Sequence, residues 1–108
     1  MNNNRIMNPK KDIEQEIAEK GYESLRYSIF PSANENRGEW EVRMEYENDK
    51  YFVYITMDRA SFNRKREYGN FEEAKERFFQ LMDSTVQRNK RHVRDNETPE
   101  YLSPLWSK

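Results

Sequence analysis

The chain has 108 residues, 19 basic and 20 acidic side chains for a net charge of −1, and no cysteine. That length is one domain, the near-neutral balance gives no global electrostatic pull toward nucleic acid or membrane, and the lack of cysteine excludes disulfides and thiolate chemistry. Hydrophobic residues make up 34% and charged residues 36%, which leans toward disorder, but the 14% aromatic content argues for a small core built from Tyr, Phe and Trp.

In chain order, the start M-N-N-N-R-I-M-N-P has no apolar core segment and does not read as a signal peptide. No run is long enough to span a bilayer, so the expected location is cytoplasmic. Asn8-Pro9 predicts a helix start, with Asn as cap and Pro in the first turn. Ile13 and Ile17 form its narrow apolar stripe, and Gly21 ends it, with Tyr22 folding back on Ile17. Tyr22 to Phe30 alternates as a first strand, stopped by Pro31, and a polar loop runs from there to Gly38.

The central stretch runs from Glu39 to Asp58. Trp40, Val42, Met44 and Tyr46 alternate with Glu39, Glu41, Arg43, Glu45 and Glu47, the period of a half-buried strand. Asn48-Asp49 tolerates the positive φ of a two-residue hairpin turn. That turn pairs Glu47 with Lys50, Tyr46 with Tyr51, Met44 with Val53, Val42 with Ile55 and Trp40 with Met57, apolar against apolar; a slip of one residue would ruin the match.

Asp58 to Gly69 is long for a loop, and a short extra strand near 64–68 is an option. Asn70 caps a second helix, with Glu73 in capping-box position. Phe71, Ala74, Phe78, Leu81, Met82 and Thr85 follow helical spacing to about Arg91, and Phe79 and Val86 widen the stripe over the sheet. The expected fold is α+β: a three-stranded antiparallel sheet covered on one face by two helices, in the order α-β-β-β-α. Residues 1–92 form the expected domain and 93–108 an extended, Pro-containing tail.

No pattern declares a catalytic chemistry. His92, the one histidine, lies in a basic run with no marked nucleophile beside it. Glu39, Glu41, Glu45 and Glu47 share one strand face, neighbours two residues apart lying about 7 Å from each other, but acid–base work needs environments that split their pKa values, and the reading is a solvated row. Glu72 and Glu76 sit one helical turn apart with no further ligand in view, so no metal is expected. Gly21, Gly38 and Gly69 are scattered, and phosphate-cradling signatures are absent. No cofactor is expected, and the chain does not read as an enzyme.

Two basic segments, Arg59/Arg64/Lys65/Arg66 and Arg88/Lys90/Arg91/Arg94, raise nucleic-acid binding, and the element order is similar to that of the double-stranded RNA-binding domain. The turn that would meet phosphate reads Asn70-Phe71-Glu72-Glu73, which is acidic and repels it. The outer hairpin face is the stronger candidate. There Arg43 opposes Tyr54, with Phe52 and Thr56 beside them among glutamates, a mixture of aromatic and charged groups suited to a protein partner if no loop or tail folds over it.

Three features, the Glu39-Trp40-Glu41 strand, the aromatic strand ending in Asp58-Arg59-Ala60-Ser61, and the Asn70-Phe71-Glu72-Glu73-Ala74 helix start, together resemble a small immunity-protein family of bacterial polymorphic toxin systems, over about residues 10–85. The resemblance implies a cytoplasmic α+β protein that binds and neutralises a cognate toxin without catalysis of its own. No residue role carries over from it. A phage-type inhibitor of a host defence protein shares these features and stays open beside it, as does the nucleic-acid module. The candidate partner contacts are Arg43, Phe52, Tyr54, Asp58 and Arg59.

Overall fold

The computed structural model describes residues 8–32, 37–60 and 65–107. Its elements are α1 (Pro9–Lys20), β1 (Tyr27–Ile29), β2 (Val42–Glu47), β3 (Lys50–Ile55), β4 (Arg66–Tyr68) and α2 (Phe71–Arg94), with short 3-10 turns at Asp58–Ala60 and Pro104–Ser107. The class is α+β, as expected, with the extra strand present: one four-stranded sheet in the order β1-β2-β3-β4. Ser61 and Arg64, named above, lie outside the described residues.

The hairpin sets the frame. Asn48 and Asp49 both have positive φ, 55° and 64°, the backbone of a tight turn whose twist matches its strands. The register is the expected one, with Val42 opposite Ile55, Met44 opposite Val53, Tyr46 opposite Tyr51 and Glu47 opposite Lys50. β4 then pairs antiparallel with β3, Tyr68 opposite Tyr51. The pairing does not reach Trp40: β2 begins at Val42, and Trp40 sits in a turn with φ of 54°.

One strand differs in direction. β1 pairs parallel, not antiparallel, with β2, Tyr27 opposite Val42 and Ile29 opposite Met44. Alternation specifies which side chains share a face and is blind to strand direction, so a three-residue strand fits either way. Parallel neighbours need a crossover of about a dozen residues, and the chain between Ile29 and Val42 has that length. The junctions are held by Val42 N–H donating to the Arg26 carbonyl (3.1 Å) and Phe30 N–H to the Met44 carbonyl (2.8 Å).

The inner face of the sheet carries the core. Asn70 accepts a hydrogen bond from Glu73 N–H at 2.9 Å and starts α2 as expected. Phe71, Ala74, Phe78, Phe79, Met82, Thr85 and Val86 are buried along it. All of these but Thr85 meet Val42, Met44 and Val53 from the sheet and Ile13 and Ile17 from α1 in one apolar cluster. Asn8 caps α1 and Gly21 closes it in the left-handed region at φ 71°. Lys75 of α2 bridges to Asp12 (3.3 Å) and Glu16 (3.2 Å) of α1, tying the two helices on the same side.

The residues after α2 fold back on this body. Tyr101 and Trp106 are buried in the core cluster, and the Trp106 indole N–H donates to the Tyr101 carbonyl at 2.6 Å. The Tyr101 hydroxyl accepts from Arg26 N–H at 3.0 Å. Buried Asn89 supports the return by accepting from Glu100 N–H at 2.7 Å and donating to the Thr85 carbonyl at 2.9 Å. Leu102 is left 90% exposed.

Candidate functional site

The opposite face of the sheet is closed by polar groups. β2 offers Arg43 and Glu45 there, with Glu41 just before the strand; β3 offers Phe52 and Tyr54, with Thr56 just after. Arg43 and Tyr54 face each other across the hairpin and are only 3% and 2% exposed, and Thr56 is buried beside them. Burying a guanidinium demands paired charge. Its Nε donates to Glu45 Oε2 at 3.1 Å, and its Nη1 donates to Glu41 Oε1. Glu45 Oε2 also accepts from the Tyr54 hydroxyl at 2.6 Å, while Lys65 Nζ lies 2.9 Å from Glu45 Oε1.

The end of the crossover lies against this face. Arg37 Nε donates to the Tyr54 hydroxyl at 2.8 Å. The Thr56 hydroxyl donates to the Gly38 carbonyl at 2.6 Å and accepts from Glu41 N–H at 2.8 Å. From the other side, Lys65 Nζ stands 5.3 Å from the centre of the Phe52 ring and 5.4 Å from that of Tyr54, cation–π distances. The long connection after β3 thus contributes a lysine lid over the aromatic pair.

The electrostatics follow from this geometry. Burial works against the charged form of Glu45, but hydrogen bonds from Tyr54, Lys65 and Arg43 outweigh it and hold its carboxyl below the usual range. Burial and the bond to Glu45 push the Tyr54 phenol up, with Arg37 opposing. Burial also works against the Arg43 charge, and the two carboxylates more than restore it. Three cations, Arg37, Arg43 and Lys65, therefore surround two anions, Glu41 and Glu45, in one connected network.

The fold brings Arg43, Phe52 and Tyr54 together on this face. Phe52 is half-buried, while Arg43 and Tyr54 form the floor. Asp58 and Arg59 lie further along, exposed in the 3-10 turn that follows β3, where Arg59 has φ of 60° and its N–H donates to Glu39 Oε2 at 2.7 Å. Sequence reasoning read Glu41 and Glu45 as a solvated row, placed Lys65 only in a basic segment and passed over Arg37. A signal for two of them existed: Glu41-Val42-Arg43-Met44-Glu45 sets one arginine between two carboxylates on a single strand face, within side-chain reach. Arg37 and Lys65 come from the two long connections, whose paths no periodicity encodes.

The second basic segment is partly neutralised within the chain. Arg88 pairs with Glu100 at 2.8 Å and Arg94 with Asp95 at 3.0 Å, and His92 Nδ1 lies 2.9 Å from Glu97 Oε1. Among the described residues no group of three His, Cys, Asp or Glu side chains is placed to hold a metal ion. No helix among them is long and apolar enough to cross a membrane.

A small α+β protein with one apolar and one ion-paired sheet face is the class that fold and site define. The model of one protein family, described as immunity protein 59, matches residues 6–107, and the chain belongs to that family. No curated protein and no solved structure matches it.

Proposed function

We propose that the protein neutralises a cognate bacterial toxin in the cytoplasm by binding it directly, without catalysis of its own. Family membership across nearly the whole chain is the observation that carries this reading, because the family is named for an immunity role. The outer sheet face supports it as the contact surface. There charged groups and a half-buried ring are already held in place by buried partners, so binding spends little on ordering side chains.

In this reading Phe52, Asp58 and Arg59 touch the toxin, while Arg43 and Tyr54 fix the surface from beneath. Asp58 and Arg59 are exposed on a turn, and Phe52 offers the aromatic anchor typical of interface hot spots. Co-expression with the toxin tests the first step: cells carrying the chain grow and cells without it do not. Phe52→Ala combined with Arg59→Glu then weakens the purified complex by about tenfold or more, as loss of a hot spot does. Unchanged affinity in that variant would remove this face as the contact surface.

A further inference from the structure

β1 covers only part of β2. Phe30 takes a positive φ of 50°, Pro31 follows it, and the pairing ends at Met44. The hydrogen bonds show which way each residue of β2 faces. Val42 N–H donates to the Arg26 carbonyl and the Met44 carbonyl accepts from Phe30 N–H, whereas the Glu41 carbonyl accepts from Thr56 N–H. Even-numbered residues thus turn their backbone groups toward β1 and odd-numbered ones toward β3, since a strand presents alternate residues to its two neighbours. Tyr46 is the next even-numbered residue, and among the described residues no strand pairs with it on the β1 side. Its N–H and carbonyl have no partner there, and the residue is 52% exposed. A cavity of about 870 Å³ opens at this point, lined by Tyr46 together with Phe30, Pro31, Glu45, Glu47 and Tyr51 among others.

We infer that this place is taken by a short extended segment of the protein's partner, which pairs main chain to main chain with Tyr46 and continues the line of β1 along β2. A donor and an acceptor left unused on a sheet edge are what an added strand recognises. The cavity has the size of an ordinary ligand site, roughly 300–1,000 Å³. Its lining suits a guest read through its backbone: Arg37 and Arg43 are matched in number by Glu45 and Glu47, so no net charge is called for. Tyr46 shares the inner face with Val42 and Met44, and its ring centre lies 4.8 Å from that of Tyr51, which lies 6.2 Å from that of Phe30. An apolar side chain of the guest packs against these rings, since an added strand sends alternate side chains to each face. A second copy of this chain is disfavoured as the occupant. Antiparallel pairing about a two-fold axis at Tyr46 would set Glu45 directly opposite Glu47 of the other copy, like charge against like. The edge also adjoins the contact surface named above, because Phe52 lies opposite Glu45, the residue next to Tyr46.

The inference rests on the toxin-binding reading, yet its test separates the two. The backbone amide of Tyr46 is followed by NMR in the 15N-labelled full chain. In the free chain it exchanges with solvent as an unbonded amide, while the amides of Arg43 and Glu45, directed at β3, are protected. Protection of Tyr46 in the free chain would overturn the inference: constant protection would mean that the chain itself fills the place, and protection that grows with concentration that a second copy does. Titration with acetyl-Thr-Val-Thr-Val-Thr amide shifts the Tyr46 resonance saturably. The same peptide N-methylated at every residue, which has no backbone donor left between its ends, does not. No shift with the first peptide, or an equal shift with the second, would also overturn it. With the toxin itself, Tyr46→Pro weakens binding about tenfold more than Tyr46→Val. Both lose the ring, but only proline loses the donor, at an edge position whose N–H the hairpin does not use. Equal losses in variants of equal Tm would count against main-chain pairing. A blank peptide titration beside intact neutralisation ends the inference and leaves the function standing; saturable peptide binding without neutralisation does the reverse.

Discussion

Under the helices the sheet is closed by apolar contact, and on the other side it is closed by charge. Val42, Met44 and Val53 point inward and meet Phe78, Met82, Ile13 and Ile17. The neighbouring residues on the same strands, Arg43 and Tyr54, point outward and are also buried, but their partners are Glu41, Glu45, Arg37 and Lys65. The inner face gains stability in proportion to the area it removes from water. The outer face gains little net free energy, because desolvating charges offsets most of their attraction. What it obtains is a surface of fixed charges, the property a specific partner can read. In the proposed function, stability and recognition are divided between the two sides of one hairpin.

Substitutions that separate the faces sharpen this contrast. The largest effect belongs inside: Phe78→Ala leaves a cavity where side chains from both layers meet, and costs about 3–5 kcal/mol in denaturant unfolding. On the outer face Arg43→Met takes the buried cation from Glu41 and leaves Glu45 only Lys65 and Tyr54, both carboxylates still partly open to solvent, and costs about 2 kcal/mol. Adding Glu41→Gln and Glu45→Gln to Arg43→Met recovers most of that loss, whereas no second substitution of that kind rescues Phe78→Ala. If the triple variant were as unstable as Arg43→Met alone, the outer face would owe its stability to packing and the contrast would fail.

The smallest effect is in the pH dependence. Glu45 is held below its ordinary value of 4.5, so its ion pairs add stability that is fully present above that pH. The contribution is lost as pH falls through the depressed folded value. Thermal unfolding between neutral pH and pH 3 therefore falls more steeply for the wild-type chain than for Glu45→Gln. Parallel curves would mean that Glu45 carries no linked proton and that the network is not the one described.

The inner face was the legible half. Strict alternation of Val42, Met44 and Tyr46, the Asn48-Asp49 turn, and the helical spacing of Phe71 to Val86 each reflect a local rule, and together they gave the register and the helix. The parallel pairing of β1 was not legible, because three residues of alternation carry no direction. Whether the outer aromatic face stays open or is covered was not legible either. Tyr54 is covered by Arg37 and Phe52 partly by Lys65, which arrive from long connections and act across the fold. Glu41 and Glu45 looked like solvated carboxylates until Arg43 was found buried between them. Polar sites of this kind are assembled by tertiary contacts, and the sequence shows their members without their meeting place.

The division of labour is tested most directly by titration calorimetry of the cognate toxin against two surface-altered chains. One carries Phe52→Ala, Asp58→Arg and Arg59→Glu on the outer side; the other carries Glu72→Arg and Gln80→Glu on the exposed face of α2. With both chains unfolding at the wild-type temperature, the account predicts at least a roughly tenfold loss of affinity for the first and a change within about twofold for the second. Equal affinities, or a loss confined to the α2 variant, would contradict it.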